Sequence, residues 1–234
     1  MNFLQDYFSR NKTGIVVSAK QGDDFAKKIA NDFNPIHDQD SKRFCVPGDL
    51  LFALALLEYG ICPQMHFYFS ELLKADRQIT LPKRVADELL EIRNQRDKVI
   101  LKLALEGVAE HHQQSKQQLA QRYVRFSGQN FPHILLPLMR EHQVMFNPRR
   151  PLVIYEQMSL SFSETKFSEL TIELTNTYLE VQGKRGNAWL EFSLLDQGQE
   201  IGTGRKKLVL SGLRPYEEAA MKEMCDAYEA RSLL

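Results

Sequence analysis

The segment from Leu50 to Leu57 carries no polar side chain. Pro47-Gly48-Asp49 opens it and Gly60 closes it, so the spacing predicts a helix over Asp49–Tyr59. That helix is apolar around its whole circumference and has no face to give to water. It is also far short of the ~20 apolar residues that span a bilayer. The chain must therefore wrap it in other elements, and the wrapping decides the fold.

The wrapping reads mostly as strands. Gly14 to Val17 is a short apolar strand, and Gly22 to Asn31 a helix with Phe25 and Ile29 on one face, stopped by Asn34-Pro35. Met65, Phe67 and Phe69 alternate, as do Val99, Leu101, Leu103 and Leu105. Weaker strand character lies in Gln78–Leu81 and Val85–Ile92. Ala109 to Gln118, with His111-His112, reads as an exposed hairpin tip, and Leu119 to Phe126 as a closing strand.

A similar order then recurs. Phe131 to His142 reads as an apolar helix. Period-two runs follow at Met158/Leu160/Phe162, Leu170/Ile172/Leu174, Leu179/Val181, Ala188/Leu190/Phe192/Leu194 and Leu208/Leu210. Gly183, Gly186, Gly198, Gly202 and Gly204 are expected in the turns between them. Pro215 opens a final amphipathic helix with Met221, Met224, Cys225 and Tyr228 on one stripe. Each half is thus a buried helix followed by antiparallel strands. An antiparallel sheet curved round one long helix is a hotdog, so the expected class is α+β, a double hotdog divided into residues 1–127 and 128–234.

Composition narrows the function. The 234 residues include 30 basic and 30 acidic side chains, a formal net charge of zero. A nucleic-acid binder draws its affinity from a basic excess that is missing here. With 43% hydrophobic residues the chain can bury a core, roughly 70% of its unfolded surface at this size. Cys45, Cys62 and Cys225 form no close pair, so neither a disulfide framework nor a zinc site is expected. The N-terminus lacks the apolar run of a signal peptide. The expected protein is cytoplasmic, with no membrane span, no metal and no nucleic-acid partner, and a monomer or homodimer.

The stretch that carries chemistry is Phe25-Ala26 through Asp32, Asn34, Pro35 and His37, followed by Val46-Pro47-Gly48-Asp49-Leu50. It resembles the signature of the MaoC-like (R)-specific enoyl-CoA hydratases, which are hotdog enzymes with a motif close to F-A-x-x-S-G-D-x-N-P-x-H and a later A-H-G-M-L. The whole chain also resembles an uncharacterised bacterial family of unknown function. The hydratase resemblance implies Asp32 as the base and His37 as its partner at the catalytic water. It implies Asn34 as loop or water ligand, Pro35 as the turn that aims the pair, and the Gly48 N–H as the donor to the thioester carbonyl. It implies no cofactor, only an acyl thioester of coenzyme A or acyl carrier protein as substrate.

Three departures bear on that reading. Asn31 replaces the glycine before the aspartate, Pro47 and Asp49 replace a histidine and a methionine, and the loop from His37 to Gly48 is shorter. Asp49 can serve as an N-cap, or its charge can oppose an oxyanion at Gly48. A turn at Asp32–His37 with no catalytic role is the structural alternative. A ligand-binding hotdog without turnover, and a thioesterase using Glu58, are the functional ones. Asn130-Phe131-Pro132-His133 echoes the Asn34–His37 spacing without a carboxylate, so the second half is expected to supply a far pocket wall. Arg149-Arg150, Lys184-Arg185 and Arg205-Lys206-Lys207 read as solvated strand ends, one of which can meet the phosphates of coenzyme A.

Overall fold

The computed structural model describes residues 2–85, 88–148 and 150–233. Strands β1 (Ser9–Asn11) and β2 (Gly14–Val16) lead into helix α1 (Ala19–Phe25), which runs on into a π-helical turn, Ala26–Ala30. Ser18 caps α1: its Oγ accepts from the Gln21 N–H while the Gln21 side chain accepts from the Ser18 N–H, at 3.1 and 3.0 Å. The helix therefore starts earlier than Asp23 and Asp24 suggest. Those acids instead lie inside it and pair with Lys20, Lys27 and Lys28 one turn away. It ends at Asn31, ahead of Asn34-Pro35, because Asn31 takes the left-handed conformation (φ 55°) that asparagine tolerates.

Helix α2 (Gly48–Tyr59) is the apolar helix expected from sequence, and nearly every residue in it is buried. Strands β3 (Gln64–Phe69), β4 (Ile79–Thr80), β5 (Leu90–Asn94) and β6 (Val99–Glu106) follow. Residues 86 and 87 of the Val85–Ile92 expectation lie outside the described residues.

Residues 109–126 depart from expectation. Helix α3 (Gln113–Gly128) replaces both the hairpin tip and the strand. Its buried Leu119, Ala120, Tyr123, Val124 and Ser127 recur at helical spacing, and the glutamines that read as a loop are good helix formers on the outer face. His112 precedes α3 and its Nδ1 lies 2.9 Å from Ser115 Oγ. The helix expected over Phe131–His142 shrinks to α4 (Leu135–Glu141).

Beyond it come β7 (Val144–Met145), β8 (Val153–Phe162), β9 (Leu170–Gln182), β10 (Arg185–Asp196), β11 (Gln199–Ser211), β12 (Arg214–Pro215) and helix α5 (Glu218–Ser232). The two runs at Leu170–Leu174 and Leu179–Val181 are one long strand, β9, with a register shift opposite Glu191/Phe192. Gly202 and Gly204 sit inside β11 rather than in a turn: a Cβ on Gly204 would lie 2.1 Å from the Phe192 ring, so the strand needs glycine to admit the aromatic. Pro215 pairs in β12 with Val144, and α5 starts three residues later.

Among the described residues ten strands form one antiparallel sheet in the order β1-β2-β4-β5-β6-β3-β8-β11-β10-β9. The halves join where β3 pairs β8, with Met65 opposite Leu160 and Phe67 opposite Met158. Phe52 of α2 packs edge-on to Phe67 of β3 and to Tyr123 of α3, with ring centroids 5.2 and 4.7 Å apart. Tyr123 in turn meets Phe192 of β10 at 5.9 Å. One long helix thus lies against each half of a continuous sheet, and the two helices touch: the fold is a double hotdog. The α5 stripe is covered by this chain itself. Met221 is buried, and Tyr228 packs on Phe33 and Phe131.

Candidate active site

The Asp32–His37 loop is built by short-range bonds that its own residues supply. Asp32 Oδ1 accepts from the Asn34 N–H at 2.9 Å, and Asn34 Oδ1 accepts from the Ile36 N–H at 3.2 Å. These Asx turns lead into a 3-10 turn, Pro35–His37, in which Pro35 fixes the first position. The loop therefore aims Asp32 and His37 at one place. His37 Nδ1 lies 2.7 Å from the Cys45 carbonyl oxygen. A carbonyl only accepts, so Nδ1 carries a proton there, and in the neutral ring Nε2 is then the acceptor. Nε2 lies 3.7 Å from Asp32 Oδ2, too far for a direct hydrogen bond. Two acceptors at this spacing suit a water that donates one O–H to each.

Helix α5 holds the loop from outside. Tyr228 Oη accepts from the Phe33 N–H at 3.2 Å and interacts with the Asp32 carboxylate. Burial, and then the Asp32 charge, push the Tyr228 hydroxyl up to about 12. Arg231 donates through Nε to the Phe33 carbonyl at 3.1 Å and pairs with Asp38.

Gly48 opens α2 immediately beside Tyr155: a Cβ there would lie 3.0 Å from the ring. Its N–H belongs to the first turn, which has no intrahelical acceptor. Asp49 is not the N-cap. Pro47 holds that position, and the Asp49 carboxylate turns into the protein, where both oxygens accept from Ser127 Oγ at 2.8 and 2.7 Å. Ser127 in turn accepts from Lys206 Nζ. The ammonium stands 4.2 Å above the Tyr155 ring, whose hydroxyl contacts that of Tyr123. Burial raises the Asp49 carboxyl and lowers the Lys206 ammonium, and each partner's charge opposes the other's shift.

Most of these groups border one cavity of about 350 Å³. Asp32, Asn34, Pro35, His37, Gly48 and Asp49 line it from the N-terminal half. Ser127 also lines it, and Leu135, Phe146, Val153, Lys206 and Tyr228 line it from residues 128–234, so the second half does supply part of the wall. Asn130 and Phe131 also line it, whereas His133 is exposed and does not.

Lys206 corrects the reading of Arg205-Lys206-Lys207 as solvated. The triplet lies inside β11, and Lys206 is 2% exposed. Its signal was the alternation Gly204/Lys206/Leu208/Leu210, which places it on the inward face. Ser127 was likewise marked by the α3 stripe and Tyr228 by the α5 stripe. None of Lys184, Arg185, Arg205 and Lys207 lines the cavity, and Arg149 lies outside the described residues. Among the described residues no cluster of His, Cys, Asp and Glu fits a metal ion, and no helix is long and apolar enough to cross a membrane.

The fold places this protein among the double hotdogs, with an aspartate–histidine pair bordering the same cavity as the head of its buried helix. The chain belongs to the family described as "Protein of unknown function (DUF3581)", whose model matches residues 2–219. No curated protein matches it. Among solved structures it is similar to a conserved hotdog protein of unknown function from Alicyclobacillus acidocaldarius (10% identity, 92% of this chain and 100% of that one, TM-score 0.47). It is similar to a TesB protein from Mycobacterium avium subsp. paratuberculosis (9% identity, 89% and 98%, TM-score 0.47). A MaoC-like dehydratase also matches (8% identity, 86% and 97%, TM-score 0.39). At these identities and scores, none decides what this chain does.

Proposed function

We propose that this protein reversibly hydrates 2-enoyl thioesters to (R)-3-hydroxyacyl thioesters, with coenzyme A or acyl carrier protein as the carrier and no further cofactor. The observation that supports this most is the Asp32–His37 pair, held 3.7 Å apart on the wall of a largely apolar cavity at the head of α2. Asp32 takes a proton from water and the oxygen bonds to the β-carbon. The electron pair of the double bond moves toward the carbonyl, giving an enolate. The proton that Asp32 took is then delivered to the α-carbon while His37 orients the water, so that the elements of water add across the bond. The (R) outcome is carried over from the hydratase resemblance alone.

Two other readings fit less well. A binding-only hotdog would favour an Asp32 turned away from the cavity, yet Asp32 lines it. A thioesterase built on Glu58 lacks its carboxylate at the site: Glu58 pairs with Arg10 at 2.8 Å and does not line the cavity.

The test is the loss of enoyl absorbance when purified protein meets crotonyl-CoA. Wild type is expected to turn it over, and Asp32→Asn and His37→Ala to lose most of that rate. Equal rates in all three would refute the proposal.

A further inference from the structure

Lys206 is the least expected group at the site. Its ammonium carries three N–H donors. Among the described residues Ser127 Oγ is the one hydrogen-bond acceptor it meets, and the Tyr155 ring face is its second neighbour. No carboxylate lies within 4 Å of it among the described residues, since Asp49 reaches it only through Ser127. A side chain 2% exposed, bordering the cavity, thus keeps an N–H to spare. A buried donor left unsatisfied is costly, so a ligand oxygen placed there is favoured.

Two links tie this donor to Gly48, which borders the same cavity. Gly48 abuts the edge of the same Tyr155 ring that Lys206 stands over. Asp49, the next residue, ends the hydrogen-bond chain that starts at Lys206. The ammonium also lies within the field of Asp32.

We propose that Lys206 is a catalytic residue which, with the Gly48 N–H, binds the carbonyl oxygen of an acyl thioester and stabilises its enolate. The Asp49–Ser127 pair positions it: the carboxylate keeps the ammonium in place, and Ser127 takes one of its donors so that another faces the cavity. The negative charge of Asp49 beside Gly48 is thereby matched by a cation rather than left to oppose the oxyanion. The proposal takes its substrate class from the hydratase reading but makes a separate equilibrium claim.

That claim is tested without turnover. Acetoacetyl-CoA forms an enolate that absorbs in the near ultraviolet, so its ionisation on the protein can be titrated against pH. Wild type is expected to lower that ionisation by about one pH unit or more, a roughly tenfold shift. Lys206→Met leaves Asp49 buried and unpaired, so Asp49→Asn/Lys206→Met, which removes both charges, is the variant that keeps the fold. The double variant is expected to bind acetoacetyl-CoA with its ionisation unshifted. If it keeps the wild-type shift, Lys206 serves only to cancel Asp49 and the proposal fails. If wild type shows no shift, the proposal fails even where crotonyl-CoA is hydrated. A shift lost in the double variant, with no hydration by wild type, upholds this site and removes the hydratase reading instead.

Discussion

The two long helices face opposite demands. Helix α2 is buried along almost all its length and offers the cavity only its first turn, Gly48, Asp49 and Leu51. Helix α3 has one buried face and one polar face, and offers its last turn, Ser127 and Gly128. One half brings the head of a helix and a reactive loop. The other brings the tail of a helix, a strand lysine and a clamping helix. The lesson is division of labour: the bond-making groups are local in sequence, while the groups that hold charge and shape come from across the fold.

Four sets of substitutions sharpen or break that contrast. The largest effect is expected in the first half. Asp32→Asn or His37→Ala should lower kcat roughly 100- to 10,000-fold, the range for general acid–base groups. Asn130→Ala, at the echo motif, should leave the rate near wild type. A loss at Asn130 as large as at Asp32 would show that the labour is not divided.

Next comes Lys206→Met, which strands a buried carboxylate and should cost about 3–5 kcal/mol in urea unfolding. Asp49→Asn/Lys206→Met should recover most of that. A double variant no more stable than the single one would deny the coupling between β11 and α2.

A smaller effect is expected at Gly204→Ala, whose Cβ would enter the Phe192 ring. Overpacking of this kind costs about 1–3 kcal/mol, and Phe192→Leu in the same chain should relieve it.

The smallest is Tyr228→Phe, which removes the hydroxyl that meets the Phe33 N–H and Asp32 and should cost about 1 kcal/mol. It also has a signature in pH. Tyr228 ionises near 10 in the unfolded chain but is pushed up to about 12 in the folded one. Between those values the unfolded state has lost a proton that the folded state keeps, so stability falls as pH rises. Tyr228→Phe should flatten part of that alkaline slope, and an unchanged slope would contradict the buried position of the hydroxyl.

What sequence made legible follows the same contrast. Helix α2 stood out because nothing but burial explains its composition. The Asp32–His37 turn stood out because its geometry is set by bonds spanning two or three residues. Lys206 was hidden because a run of three basic residues reads as solvated, and only its phase within β11 turns it inward. Helix α3 was misread because its glutamines resemble a loop until the buried Leu119/Tyr123/Ser127 stripe is counted at period 3.6. Ser127 and Tyr228 were legible as stripe positions on their helices, but their meeting at the site depends on packing between elements far apart in the chain, which no local pattern encodes.

The pairing of β3 with β8 has a practical consequence. Were the chain cut between its halves, the first fragment would present β3 as a bare, largely apolar edge, with Met65, Phe67 and Phe69 along it. Unpaired edges of that kind recruit other chains. Either fragment made alone is therefore expected to aggregate, and the roles of the two halves are best separated by exchanging single side chains within the intact chain.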